Sequence, residues 1–252
     1  MTRFLTTTAL ALGLGLAAPA SAQMFENLSA DDRAALGDEI RSYLLENPEL
    51  IVEVITLLEE KRAAEMSNTD IDLVRNNADA IFDDGYSFVG GNPDGSVTMV
   101  EFLDYRCGYC KKAHEDVKAT LSADGDIRYV VKEFPILGPD SETASRAAIA
   151  VLMTSGDEAY AAFNDALMRH NGPINDKVLS RLAEEAGASP QAMLATMQDE
   201  EVSRRIMDTR KLAAALQING TPTFVIGEQM LRGYVPQDAM ISIVDEQRQK
   251  QN

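Results

Sequence analysis

Cysteine is almost missing from this 252-residue chain, which has only Cys107 and Cys110. Within the chain the two sulfurs can pair only with each other, so a framework of structural disulfides is excluded. Histidine is equally scarce, with His114 and His170 alone. A four-ligand zinc site normally takes a second Cys or His pair, and the chain offers no further cysteine and only these two histidines for it. Tryptophan is absent and aromatic residues make up 6%, which suits a helix-rich chain better than a β-sandwich. Past the amino terminus no apolar run approaches the roughly 20 residues needed to span a bilayer. Positive charge is outnumbered, with 23 Lys and Arg against 40 Asp and Glu and a net charge of −17. That balance argues against nucleic acid and anionic membrane surfaces as partners.

Residues 1–22 read as a processing signal. Arg3 supplies a positive start, Leu10 to Ala18 an apolar core, and Ala20-Ser21-Ala22 the small residues of a cleavage site. The alternative, an uncleaved anchor, is disfavoured by a short, glycine-rich apolar run. Cleavage before Gln23 removes one positive charge, so −17 becomes −18. It also implies export to an oxidising compartment, the periplasm. About 230 residues then remain, enough for one domain and an accessory element.

That accessory element is expected at 23–66. Ser29 can cap a helix with Asp31 and Asp32 in its first turn, and a second helix can start at Pro48. Ile40, Leu44, Ile51, Val54 and Leu58 follow a three-four spacing that Leu45, Leu50, Ile55 and Leu57 widen. Such a stripe fits either an oligomerisation helix or a helix packed on its own domain, and spacing alone leaves both open. Residues 67–84 read as a polar helical linker. Strands are expected near 86–89, 96–103, 127–134 and 223–226, with a further extended piece at 230–233. Helices are expected over 107–121, over an alanine-rich stretch from 141 to 216 broken at 172–173 and 187–190, and over 236–250. The order is that of an α/β sheet interrupted by a helical insertion.

The two cysteines form Cys107-Gly108-Tyr109-Cys110, directly after the apolar run that ends at Tyr105. Closing so short a loop removes little unfolded-state entropy, so a bridge there is better suited to opening and closing than to holding the fold. Half of a metal site, with soft thiolates suited to Cu(I), and two incidental buried thiols are the alternatives. At a helix start the first sulfur meets free N–H groups and the positive dipole end, which makes Cys107 the expected exposed nucleophile and Cys110 the resolving thiol. Glu101 lies on a strand that otherwise reads as buried, where an unpaired carboxyl tends to hold a proton; the alternative is a strand-edge Glu facing water. Lys132 and Glu133, closing the neighbouring strand, are candidates to pair with or tune it. His114 reads as a solvated helix residue rather than a base.

Val100-Glu101-Phe102-Leu103-Asp104-Tyr105-Arg106-Cys107-Gly108-Tyr109-Cys110 resembles the active-site strand and turn of the DsbA-like thiol:disulfide interchange proteins, and Gly220-Thr221-Pro222-Thr223-Phe224 resembles their second active-site segment. The resemblance covers about residues 86–248. It implies a thioredoxin fold over 85–252 with a helical domain inserted near 140–212. It also implies a redox-active Cys107–Cys110 disulfide, a cis Pro222, a Thr221 backbone that pairs with substrate, and a Glu101 that exchanges a proton with Cys110. Residues 39–51 resemble the leading helix of the suppressor-of-copper-sensitivity C proteins, in some of which it joins three chains into a disulfide isomerase. The expected function is therefore a periplasmic thiol-disulfide oxidoreductase favouring isomerisation, without a cofactor. Its implied partners are cysteine-containing exported proteins, a membrane reductase or oxidase, and further copies of itself as a homo-oligomer such as a trimer. A net dithiol oxidase, a copper- or zinc-buffering thiol protein with Cys107 and Cys110 as ligands, and a holdase are the other readings.

Overall fold

The computed structural model describes residues 28–250. The processing signal expected at 1–22 lies outside the described residues. By contacts the chain divides into two units, one reaching to Arg62 and one from Ala63 onward.

The first unit is helical. Helix α1 (Ala30–Glu46) starts in a capping box: Asp32 N donates to Ser29 Oγ at 3.2 Å, and Ser29 N to Asp32 Oδ2 at 3.2 Å. It stops at Asn47, and α2 (Glu49–Asn76) begins after Pro48. None of the α1 residues is buried. Ile40, Tyr43, Leu45, Val52, Val54 and Leu57 are between 51% and 64% exposed.

In the second unit, strands β1 (Phe88–Gly91), β2 (Val97–Leu103), β3 (Ile127–Glu133), β4 (Thr223–Ile226) and β5 (Gln229–Arg232) form a sheet in the order β1-β3-β2-β4-β5. The central pair β2–β3 is parallel, joined by α4 (Gly108–Asp124), and the other pairings are antiparallel. Alternation along β2 sends Met99 and Leu103 to one face, where they join Val131, Phe224 and the α4 residues Cys110, Ala113 and Val117. Val100 and Phe102 pack on the other face with Val74 of α2 and Ile81 of α3 (Ala78–Phe82). Helices on both faces explain why the central strands read as continuous apolar runs.

The insertion comprises α5 (Pro139–Arg169), α6 (Asp176–Glu185), α7 (Pro190–Thr196) and the start of α8 (Glu200–Ala215); α9 (Gln237–Lys250) closes the chain. Helix α5 kinks at Gly156, where φ is +80°, a conformation open to glycine and costly for other residues. The alanine-rich stretch therefore has breaks at Gly156 and at 197–199 that composition did not announce. The polar stretch at 67–84 continues the helix, with α2 unbroken to Asn76 and α3 after it.

Candidate active site

The site is assembled at the end of β2. Asp104, fully buried, caps the turn that follows. Its Oδ1 accepts from Arg106 N at 2.8 Å and Ser141 Oγ at 2.7 Å, and its Oδ2 from Ile136 N at 2.8 Å and Leu137 N at 3.0 Å. Its carbonyl accepts from Cys107 N at 3.0 Å. One residue thus fastens the turn before the cysteines, the loop after β3 and the start of α5. Cys107 then takes the N-cap position of α4, its carbonyl accepting from Lys111 N at 3.1 Å.

Both cysteines are free thiols, the reduced state of the pair that the resemblance makes redox-active. Cys107 is more enclosed than expected of an exposed nucleophile, at 7% exposed, while Cys110 is at 0%. Between them Tyr109 is 64% exposed, and a side chain added at Gly108 would meet open space. The Thr221-Pro222 peptide is cis. The Cys107 thiol donates to the Thr221 carbonyl at 3.1 Å, so the two sequence segments do meet. Pro222 O in turn accepts from Gly233 N at 2.9 Å, tying this loop to the end of β5.

The two sulfurs differ sharply in acidity. A hydrogen bond from Cys110 holds the Cys107 thiol down at about 5, against partial burial, with further bonds from the Thr221 side chain and the backbone N–H groups of Cys110 and Tyr109. Burial drives Cys110 the other way, far above the usual thiol range, helped by its bond to Cys107 and the nearby Glu101 charge.

Glu101 is buried at 1% exposure, not at a strand edge facing water. Burial lifts its carboxyl to about 7, against a hydrogen bond donated by Tyr129 to Oε2; the Cys107 and Glu133 charges push the same way as burial. Lys132 does not pair with it. In the parallel register Lys132 lies opposite Phe102, on the other face, where Nζ donates to Asp84 Oδ2 at 2.6 Å. Glu133 does share the face of Glu101 and accepts from Tyr105 Oη at 2.7 Å and Tyr160 Oη at 2.6 Å.

His114 is not solvated: α5 buries it and brings Asp165 Oδ1 to 2.9 Å from Nε2. With Glu115 these groups converge closely enough for a cation. Asp165 is already neutralised, however, by Lys118 at 2.6 Å and Arg169 at 3.0 Å. For a soft metal the donors at the site are the two sulfurs alone. Sequence reasoning gave Asp104 and Tyr129 no role. The first was visible inside the motif, and the second needed the strand register.

Residues 83–246 match the family described as Thioredoxin. The chain belongs to the thioredoxin family. Residues 32–65 match a second family, the Copper resistance protein ScsC N-terminal domain. A thioredoxin-like oxidoreductase from Silicibacter pomeroyi is 39% identical, with a TM-score of 0.65 over 69% of this chain and 98% of that one. The thiol-disulfide exchange protein alpha-DsbA2 of Wolbachia pipientis is 31% identical, with a TM-score of 0.67 over 71% and 96%. A linker-deleted mutant of Proteus mirabilis ScsC is 25% identical, with a TM-score of 0.68 over 90% and 99%. The chain is thus a DsbA-like thioredoxin protein with a ScsC-like amino-terminal segment. Among curated proteins it is 28% identical to a Na+/H+ antiporter NhaA of Salinispora arenicola and spans 24% of that protein's length. No helix among the described residues is long and apolar enough to cross a membrane.

Proposed function

We propose that this chain is an exported thiol-disulfide oxidoreductase that acts mainly as a disulfide isomerase on cysteine-containing periplasmic proteins. The thiol-exchange part of this reading is carried by the meeting of Cys107, at the start of α4, with the Thr221 carbonyl and by the opposed acidity of the two sulfurs, Cys107 held at about 5 and Cys110 pushed far up by burial. One is a ready nucleophile near neutral pH, and the other keeps its proton until it is needed.

The Cys107 thiolate attacks a mispaired substrate disulfide. A bond forms between Cys107 and one substrate sulfur, and the other substrate sulfur leaves as a thiolate. Isomerisation follows when a substrate thiolate attacks the mixed disulfide, forms the correct pair and returns Cys107 unchanged. If pairing stalls, Cys110 passes its proton to Glu101 and attacks Cys107 Sγ. The Cys107–Cys110 bond then forms, the substrate leaves as a thiolate, and two electrons have moved to the substrate. Thr221 holds the substrate backbone beside the sulfur, with Pro222 shaping the loop. A membrane reductase must restore the dithiol.

The isomerase emphasis rests on the amino-terminal segment, whose exposed apolar residues and ScsC match favour a homo-oligomer, a trimer in our reading. A net oxidase is the second reading, favoured by the acidity of Cys107, because stabilising the reduced form makes the disulfide a stronger oxidant. A copper-buffering role would require ionised Cys110, which its burial opposes.

Refolding of a scrambled multi-disulfide protein tests the proposal. Cys107→Ser should abolish it, and Cys110→Ser should accumulate mixed disulfides; full activity in Cys107→Ser would refute thiol chemistry. The reduction potential of the pair separates the readings, since a strongly oxidising value favours the oxidase.

A further inference from the structure

Glu101 is not the only glutamate buried on the sheet face under the cysteines. Glu101 on β2 aligns with Val131 on β3, and Glu133 aligns with Leu103, so the acids sit two positions apart on the same sheet face. Strand geometry puts such positions about 8 Å apart. Glu101 faces Tyr129 of β3, Cys107 and Cys110 at the start of α4, and Glu133. Glu133 faces Asp104 and Tyr105 of the turn before the cysteines and Tyr160 of α5. Asn164 of α5 completes the group by donating to Tyr105 Oη at 3.0 Å. Among the described residues no lysine or arginine pairs with either acid, and Glu101 Oε1 and Glu133 Oε2 have no hydrogen-bond partner.

We infer that Glu133 is a positioning residue for thiol exchange, a second buried acid that Tyr105 and Tyr160 hold under the turn so that its charge keeps Glu101 basic enough to take the proton of Cys110. This rests on the reading of Glu101 given above. The physical argument is one of charge. In the mixed disulfide Cys107 carries no charge, and Glu101 and Glu133 face one another with no lysine or arginine paired to either among the described residues, so they cannot both ionise at ordinary cost. Two phenol donors support an anionic Glu133, whereas Glu101 has one. Negative charge at Glu133 then raises the proton affinity of Glu101, and burial lifts both carboxyls towards about 7. The acids titrate as a pair, and the inserted helix α5 takes part through Tyr160.

The test follows release of a peptide thiol from a mixed disulfide on Cys107 in the full chain, as a function of pH. In the wild type the acid limb reflects Glu101. Glu101→Gln should remove that limb and slow release at least about tenfold. Glu133→Gln should move the limb down by about one pH unit and slow the plateau several-fold. Tyr160→Phe, which removes one donor and leaves Glu133 more often neutral, should move the limb the same way by less. In a Glu101→Gln background Glu133→Gln should change nothing further, whereas a merely structural role would act equally in both. If Glu101→Gln alters release and Glu133→Gln leaves the profile in place, the inference fails. If Glu101→Gln itself changes nothing, it is the reading of Glu101 that falls. Should a variant not fold, NMR titration of the carboxyl carbons in 13C-labelled wild-type protein decides: linked two-step curves for both acids support the pair, and one independent step at Glu133 overturns it.

Discussion

Lys132 and Glu133 are adjacent in β3 and are buried on opposite faces of the sheet. Lys132 Nζ reaches Asp84 Oδ2 at 2.6 Å and the Ala80 carbonyl at 2.9 Å, while Glu133 accepts from Tyr105 and Tyr160 on the face beneath the cysteines. The strand pleat therefore sends the Lys132 ammonium away from the thiols and leaves Glu101 and Glu133 on their side of the sheet. The ionisation behaviour of the site follows from this sorting, and so does the pH dependence expected of its stability.

Glu101→Gln should stabilise the reduced protein, and more so at higher pH. The native carboxyl keeps its proton up to about 7, whereas the unfolded one loses it near 4.5. A raised acid opposes folding above its unfolded value, so the cost is absent below 4.5, grows to 7 and then levels. The full gain is about 3 kcal/mol. Denaturant titrations of both proteins across that range would show it, and a gap independent of pH would contradict it.

Cys107 predicts the opposite slope for the dithiol relative to the disulfide. Its native value is lowered to about 5 from 9.0. A depressed acid adds stability that is full near the unfolded value and is lost as pH falls through the native one. The reduced form should therefore gain on the oxidised form between about 5 and 9, above which ionisation of Cys110 in the unfolded chain works against it. Unfolding of both redox forms over this range measures the difference, and thiolate absorbance should show the midpoint directly.

Asp104→Ala should be among the most damaging single changes outside the cysteines. It strands the N–H groups of Arg106, Ile136 and Leu137 and the Ser141 hydroxyl at once. The expected cost is about 3 kcal/mol, read as a lower denaturation midpoint. A loss within about 0.5 kcal/mol, typical of surface positions, would show that water takes over these bonds.

Removal of residues 23–66 should convert the protein to a monomer in light scattering and should depress isomerase activity more than simple thiol oxidation. The exposed apolar residues of α1 and α2 supply the reason, since surfaces of this kind normally mark contact sites. A full chain that scatters as a monomer would refute the oligomer.

Local chemistry made much of this fold legible. Thr223 to Ile226 forms a strand with the bounds its sequence suggested, and β2 and β3 begin and end within a residue of their apolar runs. The resemblance carried the cis Thr221-Pro222 bond and its meeting with Cys107. What stayed hidden depends on partners distant in sequence. Lys132 and Glu133 could not be assigned to faces before the register with β2 was known. His114 looked solvated because the helix that buries it, α5, lies some fifty residues on at Asp165. Gly156 was in plain view, but only its positive φ shows that it kinks a helix instead of sitting within one.

The hub at Asp104 lies below and before the cysteines, and the two residues between them look outward. Nothing crowds a new side chain at Gly108, and Tyr109 is mostly in solvent. The scaffold that holds the sulfurs is thus separate from the pair of positions that most directly colour their surroundings. An evolving lineage can exchange those two residues with little penalty in folding, and so drift between making, breaking and reshuffling disulfides on an unchanged frame.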